Sequence, residues 1–394
     1  MQIGIHASGG RAGRRRPLFR AFPLIAATTI LAGCAASGES DVIRLGLAGP
    51  LNEPPGKGMH QGALLAIEEI NARGGVLGRR LDLVVRDDAM NPARAIEVAE
   101  EFRDRTDVVA VVGHLSSGAS IAASDVYNEP GKGLLAISPG ATSPEMSTTG
   151  EWTFRVCPSD LQQATALAEW AFHDLGRRRA VIVYVNDSYG RGVRDAFTPV
   201  FERLGGTVLS ADPYLPDLLE DDGRALDPYL ERGIRNDMDA LVIVGVGDEV
   251  TDILRASRRL GFQGTVMGTD GLMGIAAAGT VAEGVVISSG FLVDRPTPTA
   301  RDFVERYRER FGELPRDGSA HAYDTVMLLA HAIDQVGTDR KAVRDFVASI
   351  GTGASAFEGV TGTIRFDQHG DAVGKGVLIG IVRDGRVVTA GEAH

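Results

Sequence analysis

From residue 42 onward the chain alternates short β-branched apolar runs with amphipathic stretches, and that alternation restricts its folding more than any other feature, because it is the pattern of parallel βαβ units. The runs fall at 42–48, 81–85, 108–112, 134–138, 180–185, 240–244, 265–268 and 285–288. The central ones are nearly continuous in apolar character, which predicts strands covered by helices on both faces. Between the first two runs, Met59, Ala63, Ile67 and Ile70 recur at helical spacing, and Gly74-Gly75 supplies a stop. Asn91-Pro92 predicts a cap and a first-turn proline for a helix through Phe102. Late in the chain, helices over 319–336 and 340–350 give way to strands over 363–366 and 376–389. The second of these folds at Asp384-Gly385, a type I′ hairpin signal.

The 394 residues suffice for two α/β domains, yet no proline-rich or serine-rich linker separates two halves. Several short crossovers joining two lobes, with a ligand between them, satisfy both facts. Residues 1–33 hold five arginines and no acid, leaving 36 basic against 52 acidic side chains in the remainder. Nucleic acid is excluded as a partner for such a surface, since phosphate binding needs a basic footprint.

Residues 1–33 have the three-part form of an export signal: an arginine-rich start, an apolar run over 21–31, then small residues. The run is too short for a stable membrane anchor. Leu31-Ala32-Gly33-Cys34 resembles a bacterial lipobox, so Cys34 is expected to be acylated and to hold the protein at a membrane surface, with 34–40 as a tether. Only Cys157 remains besides Cys34, and a lipidated Cys34 cannot pair, so no internal disulfide is expected. Cys157 reads as a buried small hydrophobe.

Arrangements that support catalysis are missing. Gly56-Lys57-Gly58 and Gly131-Lys132-Gly133 lack the upstream glycine and the hydroxyl of a phosphate loop. The histidines make no zinc pattern, and Gly118-Ala119-Ser120-Ile121-Ala122 fails the last position of a nucleophile elbow. Gly245 to Val250 begins like a dinucleotide loop but lacks its third small residue. The expectation is no enzyme, no cofactor and no metal.

What the sequence offers is a set of polar groups at strand ends, where ligands of open α/β sheets bind. Ser117 follows the run 108–112 and begins a helical pattern, so that its hydroxyl and the first free amides converge where the macrodipole favours an anion. Gly140 and Thr142 follow 134–138; the glycine lets backbone approach a ligand and the threonine adds a hydroxyl. Tyr189 and Asp270 occupy the same position after 180–185 and 265–268. Taken singly, Ser117 also reads as a helix cap, Thr142 as a turn former and Asp270 as a cap.

The ordered set Gly49-Pro50-Leu51, Gly62-Ala63, Ile67-Glu68-Glu69-Ile70-Asn71, Leu77-Gly78-Arg79, Asp87-Asp88, Gly113-His114-Leu115-Ser116-Ser117, Ile137-Ser138-Pro139-Gly140-Ala141-Thr142, Tyr189-Gly190-Arg191-Gly192 and Ile364-Arg365-Phe366-Asp367 resembles the leucine/isoleucine/valine-binding proteins of bacterial ABC importers across nearly the whole chain after the leader. The resemblance implies a type I periplasmic binding protein fold: α/β, two doubly wound parallel-sheet lobes joined by three crossovers. The lobes would comprise 41–157 plus 289–363 and 158–288 plus 364–394. It also implies that Ser117 and Thr142 bind a ligand carboxylate, that the Gly140 carbonyl and Asp270 take its ammonium, and that Tyr189 walls the pocket. The family's cysteine pair stands as Met90 and Ser116 here. Its two wall tyrosines fall near Val246 and Pro55, which reshapes the side-chain pocket. The expected function is capture of an amino acid, branched-chain or apolar, for delivery to an ABC permease and its ATPase by a monomeric, extracytoplasmic, lipid-anchored protein. An amide, urea-like or aromatic cargo, or a sensing role beside a signalling partner, are the alternatives.

Overall fold

The computed structural model describes residues 42–392 apart from 217, 218, 220 and 296. The export signal, Cys34 and the tether lie outside the described residues. Two twisted sheets divide the chain. The first has the order β2-β1-β3-β4-β5, from β1 (Val42–Gly49), β2 (Arg80–Asp87), β3 (Val108–Val112), β4 (Ala136–Ser138) and β5 (Thr153–Arg155). Every pair in it is parallel. The second contains β6 (Arg179–Val185), β7 (Thr207–Tyr214), β8 (Ala240–Val244), β9 (Thr265–Gly268), β10 (Val286–Ser289), β13 (Leu378–Arg383) and β14 (Arg386–Glu392). Its order is β14-β13-β10-β9-β8-β6-β7, parallel from β7 to β10 and antiparallel beyond.

The continuous apolar runs are the central strands: all five residues of β3 and all five of β8 are buried, as helices on both faces require. On the first sheet, α1 (Pro54–Ala72) packs with α9 (Asp317–Val336) on one face, while α2 (Pro92–Asp104) and α3 (Ser117–Tyr127) cover the other. Asn91 caps α2 by accepting from the Ala93 and Arg94 amides, at 2.9 and 3.1 Å. In the second lobe, α4 (Asp160–His173), α5 (Ser188–Arg203), α6 (Asp227–Arg235) and α7 (Asp248–Arg259) enclose one apolar core. Asp384 and Gly385 adopt φ of 50° and 72° between β13 and β14, the left-handed pair that a type I′ turn needs.

The chain passes between the sheets three times. After β5 it enters α4, and after β10 it returns to α8 (Pro298–Phe311), α9 and α10 (Arg340–Ser349) on the first lobe. The last passage comes later than the expected boundary at 363/364. Ile364 and Phe366 belong to the first core, Phe366 packs edge-on against Phe154 at 5.1 Å, and Asp371 pairs with Arg155 of β5 at 2.8 Å. Val377 is the first residue thereafter in the second core, so the boundary moves to about residue 376. The reason is local: β12 (Gly362–Ile364) pairs with β11 (Phe357–Gly359) in a small separate hairpin rather than joining the second sheet.

Candidate functional site

The first-lobe side of the cleft is built at the ends of β3 and β4. Ser117 is 3% exposed in the first turn of α3, but the helix cap is its neighbour: Ser116 Oγ accepts from the Ala119 amide at 3.4 Å. Ser117 instead accepts a hydrogen bond from the Ser143 amide at 3.2 Å, which ties α3 to the loop after β4 and leaves the Ser117 hydroxyl proton to donate elsewhere. In that loop the Ser138 hydroxyl accepts from the Ala141 amide at 2.8 Å. Gly140 presses against Leu115, whose Cδ1 would lie 2.7 Å from any added Cβ, so the backbone approaches there as only glycine permits.

Arg155, 2% exposed, organises the same loop from behind. Its Nη1 donates to the carbonyls of Thr142 at 2.9 Å and Ser143 at 2.7 Å, while its Nε meets Asp371 at 2.8 Å. The Thr142 carbonyl also accepts from the Asp160 amide at 2.8 Å, joining the loop to the start of α4. The Thr142 hydroxyl lies close enough to the Asp160 carboxyl to favour its ionised form, although neither Asp160 oxygen has a hydrogen-bond partner.

Second-lobe groups face this loop. Asp270 begins a short turn after β9, and Gln163 of α4 holds it twice: Nε2 donates to Asp270 Oδ2 at 3.1 Å, and Oε1 accepts from the Asp270 amide at 3.3 Å. Tyr189, in the first turn of α5, shares a 2.7 Å hydrogen bond with Thr269 Oγ1 and accepts from the Gly271 amide at 3.2 Å. Its hydroxyl therefore fixes the loop that carries Asp270. Burial pushes the Asp270 pKa up to about 6, against the hydrogen bond from Gln163. Asp160, wholly buried, is raised well above the usual carboxylate range by desolvation and then by Asp270. Closure brings Ser188 Oγ of α5 to donate across the cleft to Glu145 Oε2 at 3.4 Å.

All five residues expected from strand-end positions thus lie in the loops and helix starts along this cleft, Ser117, Gly140 and Thr142 on one lobe and Tyr189 and Asp270 on the other. The strand-end argument did not reach Arg155, Asp160 and Gln163. A signal existed for the last two: Ser159 and Gln162 form a capping box, a pattern visible in the sequence as Ser-x-x-Gln, which marks the start of α4 and places both side chains in its first turn. Cys157 is free and buried, donating weakly to the Ala141 carbonyl at 3.7 Å, with its thiol pKa pushed up by burial. Among the described residues no three histidine, cysteine or acidic side chains gather as metal ligands, and no helix is long and apolar enough to cross a membrane.

Known proteins share this arrangement. An amino acid binding protein of Pseudomonas aeruginosa is 29% identical over 82% of this chain and 86% of its own length. An ABC transporter substrate-binding protein of Desulfitobacterium hafniense, solved in complex with Leu, superimposes with a TM-score of 0.77 at 31% identity, covering 88% of this chain and 99% of that one. A leucine-binding protein of Thermotoga maritima gives a TM-score of 0.80 at 27% identity, over 89% and 99%. The sequence pattern of the periplasmic binding protein family matches residues 43–386, and this chain belongs to that family.

Proposed function

We propose that the protein captures an α-amino acid of the branched-chain size class between its lobes and hands it to an ABC importer. One observation supports the reading: the first lobe buries two uncharged donors, Ser117 and Thr142, the second carries a desolvated carboxylate, Asp270, and Asp160 lies near both Thr142 and Asp270. A zwitterion needs that division, because each of its charges must find a partner when water is excluded. Ser117 donates to the ligand carboxylate, and Asp270 with the Gly140 carbonyl accepts from its ammonium. Relatives are named for binding amino acids, and the polar groups described above suit the same task. Cys34 serves as the lipid attachment point outside the cytoplasm, so Cys34→Ala should release the protein from the membrane fraction.

A thermal-shift screen against the standard amino acids tests the main reading. A ligand that binds only the folded state adds about 2.7 kcal/mol at a hundred times its Kd. At least one amino acid should raise the Tm, and its analogue lacking the amine should not. If no amino acid does so, or if the amine is dispensable, the reading fails.

A further inference from the structure

The cleft holds a carboxylate that the single ammonium of an ordinary amino acid does not require. Asp317 opens α9 on the first lobe, and its Oδ2 accepts from Ser289 Oγ at 3.0 Å, at the end of β10. No arginine or lysine lies within ion-pair distance of it among the described residues. One helical turn on, His321 is fully buried with Nδ1 4.0 Å from Asp317 Oδ2, and neither ring nitrogen has a hydrogen-bond partner. Desolvation, reinforced by Lys375, keeps its pKa well below the ordinary value, so the imidazole is neutral and offers one acceptor nitrogen. The ring is wedged in place, since a side chain at Gly290 would meet it at 2.8 Å. Gly318, between the two, faces Leu115, which in turn packs on Gly140. Desolvation first and Asp270 second raise the pKa of Asp317, against the Ser289 hydrogen bond, the Lys375 charge and the Gly290 amide. A buried imidazole with neither nitrogen hydrogen-bonded is costly unless something donates to it.

We propose that Asp317 and His321 form a polar end to the side-chain pocket and select, among amino acids of branched-chain size, those whose side chain donates a hydrogen bond. This rests on the amino-acid reading above and names the preference within it. A side-chain hydroxyl or amide donates into this pair, while an aliphatic side chain of the same shape leaves the His321 nitrogens without a donor. The isosteric pair threonine and valine reads the effect, and asparagine against leucine repeats it.

Calorimetry on the full-length protein should show threonine binding about two- to tenfold more tightly than valine, and asparagine more tightly than leucine, as one additional buried hydrogen bond to a neutral carboxyl implies. Asp317→Leu should abolish or reverse both preferences while valine binds at least as well as before. Asp317→Asn, which keeps the shape and leaves one acceptor oxygen in place of two, should shrink them, and covers the case in which the leucine variant does not fold. The inference is overturned if wild type binds valine and leucine as tightly as their polar counterparts, or if Asp317→Leu folds and keeps the preference. Binding of valine and leucine without that preference removes this inference alone. Failure of the whole amino-acid panel removes the reading beneath it.

Discussion

The two faces of the cleft are made differently although both are strand-end loops. On the first-lobe face the loop after β4 offers the cleft hydroxyls, while its cation, Arg155, stands behind the loop and spends its donors on the carbonyls of Thr142 and Ser143 and on Asp371. The second-lobe face presents carboxylates: Asp270 held by Gln163, and Asp160 with no hydrogen-bond partner. The difference teaches how closure is tied to occupancy. On the proposed function, the ammonium of a bound amino acid offsets the desolvation that raises the pKa of Asp270 and Asp160. The first-lobe hydroxyls impose no such penalty, so that lobe can receive a carboxylate before the second arrives.

Removing the charged face should have the largest effect. Asp270→Ala leaves a ligand ammonium buried without its partner, a loss of about 3 to 5 kcal/mol, or about two to three and a half decades in Kd by titration calorimetry. The variant should also lose most of its discrimination against an amine-free analogue. Equal affinity in both proteins, with normal melting of the variant, would erase the distinction between the two faces.

How far the sequence could reach follows from the same contrast. Residues at strand ends were legible, because strand position follows from apolar runs such as 108–112 and 240–244, and the residue that comes next is then fixed. Groups that reach the site from elsewhere were not. Gln163 arrives from the turn beyond a crossover, 107 residues before Asp270, and Asp317 from a helix that opens 28 residues after Ser289; only the tertiary fold brings these together. The chain return at 363/364 was misplaced for a related reason. Residues 363–366 have strand character, but their partner is the adjacent Phe357–Gly359, and sequence pattern alone does not reveal which sheet a short strand joins. The sequence pattern makes Ser117 the helix cap, and the structure gives that cap to Ser116 instead.

On the neutral face the expected effect is smaller. Ser117→Ala removes one hydroxyl donor to the ligand carboxylate and the acceptor for the Ser143 amide, while the backbone amides at the start of α3 remain. A loss of about 1.5 to 3 kcal/mol in binding is expected. Affinity unchanged within twofold would mean that the carboxylate is held by backbone alone, which sharpens the comparison by making the first-lobe face wholly a main-chain surface.

The smallest effect lies in the pH dependence of the ligand-free protein. Burial and Asp270 push the Asp317 pKa up to about 8, and Asp270 itself stands near 6, both above the values near 4 of an unfolded chain. Between these limits the folded state binds more protons than the unfolded state, so stability present at low pH is lost as pH rises toward 8. Asp160 acts in the same direction. His321 opposes it, but only below about 6.5, where the unfolded histidine takes a proton that the buried one refuses. Lys375, lowered to about 8 by desolvation, reverses the trend only above that value. The window from 6.5 to 7.5 therefore isolates the carboxylates, and urea denaturation there should show stability falling by about 1 kcal/mol per pH unit. Asp317→Asn should reduce that slope, since one of the carboxyls raised by burial has gone. A wild-type slope that is flat or rises would mean that Asp317 is already ionised in the closed cleft, and the acidic character of the site would then extend onto the first lobe as well.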